Sequence, residues 1–107
     1  MSVSITIDGQ NLCARLEGEL DHHSAAFLRE RIDYAVETAR PGLLTLDFSG
    51  VSFMDSSGVG LVMGRYKNAA AYGGEVELLN LSRQAERIMR MAGLERLVKI
   101  RRSGEKS

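Results

Sequence analysis

A chain of 107 residues, 44% hydrophobic and 26% charged, is sized for one globular domain around a single core and leaves no room for two. Fourteen basic residues balance fourteen acidic ones, which argues against binding to duplex nucleic acid, where a positive excess or a basic stripe is needed. Cys13 is the only cysteine, which excludes an intrachain disulfide, and no apolar run approaches a transmembrane helix.

The opening MSVSITIDGQ lacks the positive start and apolar stretch of a secretory signal, so a cytoplasmic protein is expected. Residues 4–7 alternate polar with β-branched side chains, Asp8-Gly9-Gln10-Asn11 forms a turn, and 12–17 resume the alternation, predicting a hairpin with a four-residue loop. Cys13, between Leu12 and Ala14 in the second of these strands, reads as a structural thiol. After Gly18 the period changes. Leu28, Ile32, Ala35, Val36 and Ala39 fall on one face of a helix, which Pro41-Gly42 ends. Residues 43–48 make the next strand, followed by a loop over 49–54. A second helix opens near Ser56-Ser57 and runs to about Tyr72, closed by Gly73-Gly74. Residues 75–79 form a further strand. Ser82 is placed to cap a third helix carrying Ala85, Ile88, Met89 and Ala92, with Gly93 at its C′ position and Leu94 for the accompanying contact. Residues 97–100 are a candidate last strand, and a frayed tail is expected from about 101.

The order ββαβαβα(β) predicts an α/β domain with a mixed sheet, a hairpin followed by parallel strands. Ile5/Ile7, Leu12/Ala14/Leu16, Leu44/Leu46/Phe48 and Val76/Leu78 make one apolar side of it. The alternate positions, among them Arg15, Glu17, Glu75 and Glu77, are expected in solvent. A parallel sheet covered on both faces would show continuous apolar runs, so helices are expected mainly on one face.

Phe53-Met54-Asp55-Ser56-Ser57-Gly58-Val59-Gly60 leaves a strand and opens a helix at the carboxyl edge of the sheet, where open α/β folds place functional groups. The free N–H groups and dipole of that helix favour negative charge, and Gly58 and Gly60 allow a phosphate or another backbone to approach. The plain alternative is capping by Asp55 or Ser56. Gly18-Glu19-Leu20-Asp21-His22-His23 reaches the same edge if its strand is a parallel neighbour. A Ser/His/Asp hydrolase built on Ser56 lacks the G-x-S-x-G elbow and the chain length for a substrate pocket. The adjacent histidines have no second metal-ligating pair at helical spacing, and no Walker loop or G-x-G-x-x-G follows a strand. No catalytic residue, metal or cofactor is predicted. Arg65-Tyr66-Lys67 reads as an exposed basic turn with Tyr66 half-buried, and Met91 as an outward-facing rim residue.

The segments Gly18-Glu19-Leu20-Asp21-His22-His23 and Ser52-Phe53-Met54-Asp55-Ser56-Ser57-Gly58 resemble the STAS domain of bacterial anti-sigma factor antagonists. Gly64-Arg65-Tyr66-Lys67 and Gly73-Gly74-Glu75 narrow the resemblance to the sporulation branch of that family, and Met91-Ala92-Gly93-Leu94 resembles its end-of-helix turn. The resemblance implies a non-enzymatic partner-switching module over the whole chain, 1–107. Its phosphoacceptor would be Ser56 rather than Ser57, with Asp21, His22, Asp55, Ser57 and Gly58 on the surface that meets the partner. The implied partners are an anti-sigma factor that is itself an ATP-bearing serine kinase, and a metal-dependent serine phosphatase. Neither nucleic acid nor a membrane is implied. Two rivals remain: an antagonist in a stress-response sigma pathway, and a STAS scaffold that senses a ligand and is never phosphorylated.

Overall fold

The computed structural model describes residues 1–104, in the order β1 (Ser2–Asp8), β2 (Asn11–Leu20), α1 (His22–Ala39), β3 (Leu43–Met54), α2 (Ser57–Ala70), β4 (Glu75–Leu79), α3 (Arg83–Met91), a single 3-10 turn (Leu94–Arg96) and β5 (Lys99–Arg101). The five strands form one sheet in sequence order. β1 and β2 are antiparallel, and every later neighbour is parallel. Each crossover advances in the same direction, and right-handed crossovers that never reverse place their helices on one face. The core agrees. Leu12, Leu16, Leu44, Leu46 and Leu78 from the sheet join Leu28, Ile32, Val62 and Met89 from the three helices in one buried cluster.

Local chemistry sets the element ends. Asp21 and Ser24 form a reciprocal capping box at the start of α1: Ser24 N–H donates to Asp21 Oδ1 at 2.8 Å, and Asp21 N–H to Ser24 Oγ at 3.0 Å. Arg40, at φ 47°, ends α1 before Pro41, and its guanidinium lies 4.9 Å from the Tyr72 ring centre. Ser82 Oγ accepts from Ala85 N–H to cap α3 as predicted, and Gly93, at φ 80°, turns the chain so that Leu94 is buried. Met91 is exposed, and Tyr66 is half-buried.

Five expectations are corrected. Asp8 pairs with Asn11, so the hairpin loop is the two residues Gly9-Gln10, with Gly9 at φ 62° in the position that tight hairpins reserve for glycine. The span 49–54 is not a loop: β3 continues through it to Met54, pairing with β2 across two register shifts. Gly50 makes the first shift feasible, because a Cβ there would lie 2.8 Å from the Leu16 carbonyl oxygen. Arg15, Glu17 and Glu75 are exposed, but Glu77 is buried, because Arg101 reaches across from β5 and grips its carboxylate. Arg65 is also buried, drawn to Asp33 of α1 instead of solvent. The tail holds on past 101: Arg101 belongs to β5, and Ser103 exchanges hydrogen bonds with the Asn80 side chain. The last three positions of the expected frayed tail lie outside the described residues.

Candidate functional site

β3 pairs with β4 only as far as Asp47↔Leu79, yet it stays paired with β2 to Leu20↔Met54. The β2–β3 ribbon therefore projects beyond the rest of the sheet, and its two exits lie side by side. Asp55 N–H donates to the Leu20 carbonyl at 3.2 Å, tying the turn into α2 to the turn into α1. The Asp21 and Ser56 loops thus share one edge, as the sequence implied.

At the start of α2 the capping is divided unevenly. Asp55 Oδ1 accepts from Ser57 N–H at 2.8 Å, and the Asp55 carbonyl accepts from Gly58 N–H at 3.2 Å. The choice left open between Asp55 and Ser56 falls to Asp55. Ser56 is exposed, and its side chain makes no capping hydrogen bond. Among the described residues its hydroxyl, at the tip of a helix, has no hydrogen-bond partner. Across the edge, two Ser24 groups, first the backbone N–H and then the hydroxyl, hold the Asp21 carboxyl below its usual range. Both aspartates are thus anchored to backbone.

The two glycines of this turn serve different ends. A Cβ on Gly58 would stand 2.5 Å from Met54 Sδ, so Gly58 is bare to let α2 pack on the core, and it is buried. A Cβ on Gly60 would meet nothing within 4 Å, and Gly60 is exposed. Gly60 is the glycine that opens the surface beside Ser56.

Between the N-terminal halves of α1 and α2 lies a cleft of about 420 Å³, lined by His22 and Arg29 on one side and by Ser56, Ser57, Gly60 and Arg65 on the other. His22 faces it; His23 is exposed and is not part of its lining. Arg65 Nε lies 2.7 Å from Asp33 Oδ1, a close ion pair in which the buried N–H is not aligned for a hydrogen bond. Asn68 Nδ2 donates to the same oxygen at 3.0 Å. Burial pulls the Arg65 guanidinium down from its usual range, Asp33 opposes this, and the Arg29 charge adds to the fall. Gly60 was read from the sequence as leaving room for a phosphate, but Arg29 and Arg65 were not singled out as site residues. Their grouping depends on how α1 packs on α2, although the i, i+7 spacing of His22 and Arg29 puts both on one helix face.

Among the described residues no cluster of histidine, cysteine and carboxylate side chains could hold a metal, and no helix is long and apolar enough to cross a membrane.

The fold and this edge define a STAS domain. The family model for that domain matches residues 2–106, and the chain belongs to the STAS family. Its relatives are more specific. It is 36% identical over 89 residues to the anti-sigma F factor antagonist of Paenibacillus polymyxa, covering 83% of this chain and 76% of that one. It is 31% identical over 106 residues to the anti-sigma-B factor antagonist of Bacillus subtilis (strain 168), covering 98% and 94%. Among solved structures, the unphosphorylated anti-sigma factor antagonist SpoIIAA superposes with a TM-score of 0.80 at 33% identity, over 92% of this chain and 87% of that one. The phosphorylated form of SpoIIAA from Bacillus gives 0.73 at 33% identity, over 92% and 90%.

Proposed function

We propose that this protein is an anti-sigma factor antagonist of the sporulation type, acting in the cytoplasm and switched by phosphorylation of Ser56. The observation that carries the reading is the unbonded, exposed Ser56 hydroxyl at the tip of α2, in a chain that shares its fold and a third of its residues with an antagonist solved in both phosphorylation states.

In the unphosphorylated state the Asp21–Ser56 edge binds an anti-sigma factor and so releases the sigma factor. Asp21, His22, Asp55 and Ser57 make the contact surface, while Gly58 contributes from below by seating the helix on Met54. The anti-sigma factor is also the serine kinase. It brings its own ATP, and transfer of the γ-phosphoryl group to Ser56 Oγ leaves ADP on the partner. A metal-dependent serine phosphatase reverses the step by hydrolysis. Phosphorylation adds about −1.5 to −2 charge beside Asp21 and Asp55, against a partner surface that already holds nucleotide phosphates. Like-charge juxtaposition across an interface costs several kcal/mol, and each 1.4 kcal/mol is about tenfold in affinity, so release needs no change of fold.

The match to an anti-sigma-B factor antagonist along nearly its whole length favours one second reading, the same switch in a stress pathway. Co-purification of the anti-sigma factor from the source cell separates the two by the sigma factor it controls. The test of the switch is mass spectrometry after kinase treatment, with binding titrations of variants. Ser56→Ala should take no phosphate and still bind. Ser56→Asp should bind more weakly, and Ser57→Ala should still be phosphorylated. Phosphate on Ser57 in the parent protein, or equal affinity of the two states, would overturn the proposal.

A further inference from the structure

The α1–α2 cleft carries a charge pattern that partner contact at Ser56 does not by itself explain. Arg29 and Arg65 face one cavity, close enough for the Arg29 charge to destabilise the Arg65 guanidinium. Arg65 is held by Asp33, but Arg29 has no ion pair or hydrogen bond among the described residues. The carboxylates around the cleft are already engaged: Asp21 by Ser24, Asp55 by Ser57 N–H, and Asp33 by Arg65 and Asn68. What remains is an exposed, unneutralised cation on the wall of a cavity of mixed polar and apolar lining, with two helix N-termini at its mouth.

The helix geometry points this charge at Ser56. Arg29 lies seven residues into α1 from His22, about 10 Å along the axis at 1.5 Å per residue. Side chains on a helix lean toward its N-terminus, so the long Arg29 side chain extends back toward the edge where Ser56 stands. The missing side chain at Gly60 keeps the path between them open.

We propose that this cleft is an intramolecular receptor for the phosphate of phosphoserine 56, with Arg29 and His22 donating to its oxygens and Arg65 as fixed positive charge on the floor. The inference rests on Ser56 as the phosphoacceptor and deepens that reading. It gives phosphorylation a second consequence beyond repulsion: the phosphate fills the cleft from within the same chain, so no acidic group of a partner can use it. Arginine suits the task because its planar fork meets phosphate oxygens two at a time.

The test installs phosphoserine at position 56 during translation, which makes it independent of any kinase, and follows the phosphate by ³¹P NMR across pH. A free phosphoserine loses its second proton near pH 6. The groups facing the phosphate are His22 and Arg29 of α1, Asp21 before it, Asp55 before α2, and Arg65 with its partner Asp33. The expected second ionisation lies about 0.5–1 unit lower, because a nearby guanidinium favours the dianion. Arg29→Gln should raise it by about half a unit and Arg29→Lys by much less. Arg29 is exposed and unpaired, so these variants keep the fold. A value near 6 would overturn the proposal. So would a lowered value that Arg29→Gln leaves in place, since the helix N-terminus alone would then account for it. Failure of a kinase to modify Ser56 would instead remove the functional reading and leave this titration standing.

Discussion

Replacing Arg101 with alanine strips a buried carboxylate of its main partner on the uncovered face of the sheet. Glu77 is 5% exposed, and Arg101 donates to it twice, from Nε at 2.9 Å and from Nη2 at 2.9 Å, while Thr45 Oγ1 donates a third bond at 3.0 Å. Breaking a fully buried pair costs about 3–5 kcal/mol. The Arg101 side chain is 41% exposed, so water screens the pair, and a figure nearer that of hydrogen bonds to a charged group, about 2 kcal/mol, is expected. In a domain of this length that lowers Tm by roughly 10 °C. Urea unfolding of Arg101→Ala, Glu77→Ala and the double variant isolates the pair from the other contacts of Arg101, with an expected coupling of about 1–2 kcal/mol. The pH dependence gives a second check. Hydrogen bonds from Arg101, then from Thr45, against the cost of burial, hold the Glu77 carboxyl below its ordinary 4.5. A carboxyl lowered in the folded state stabilises it fully above that value, and the contribution is lost as pH falls through the folded pKa. Arg101→Ala should flatten this acid limb. A loss below about 0.5 kcal/mol, or no coupling, would refute the assignment.

The two glycines of the Ser56 turn should respond oppositely to alanine. Gly58→Ala drives a methyl into Met54 and is expected to cost about 1 kcal/mol net, overpacking set against the gain in helix propensity. Gly60→Ala meets open space and should stabilise the fold by about 0.5–1 kcal/mol while weakening binding of the anti-sigma factor, because its methyl narrows the cleft; thermal unfolding and titration read the two effects, and equal stability changes would sink the distinction. Burial, then the charges of Asp47 and Glu77, push the Cys13 thiol up, so a thiol reagent at pH 8 should label the native protein at least about tenfold more slowly than the urea-unfolded chain. Equal labelling rates would contradict that environment.

Periodicity made most of the architecture legible, because the three helices and the strand faces each bury one stripe. It failed where one residue type serves two purposes. Ser49, Gly50 and Ser52 are loop-forming residues, yet in β3 they accommodate register shifts against β2, and only the pairing reveals this. Glu77 and Arg65 look solvated because their partners, Arg101 and Asp33, lie far off in sequence and arrive only with the β4–β5 pairing and the packing of α1 on α2. The shared edge of Asp21 and Ser56 was readable, since each follows a strand of a parallel pair. The Asp21-x-x-Ser24 box was also present as a local signal and would have identified Ser24 as the anchor of that loop.

The anchoring at this edge bears on how a switch of this kind can work. Asp55 is fixed at both ends, by Leu20 O to its N–H and by Ser57 N–H to its carboxylate, and Asp21 is locked to Ser24. Gly58 sits tight on Met54 in the core. A phosphate added to Ser56 therefore meets a frame whose neighbouring groups have little freedom to rearrange. The Ser56 side chain makes no capping hydrogen bond, so modifying it disturbs no capping interaction. On the proposed reading the added charge would act outward on the partner and sideways on the α1–α2 cleft. Both effects are electrostatic, and raising salt separates them. Repulsion between exposed charges is largely screened beyond about 8–10 Å at 0.1–0.15 M salt, whereas a phosphate in direct contact with Arg29 would lie well inside that distance. The affinity difference between the two phosphorylation states should shrink as salt rises, while the lowered ionisation of phosphoserine 56 should hold. If both vanish together, the cleft adds nothing to simple surface charge.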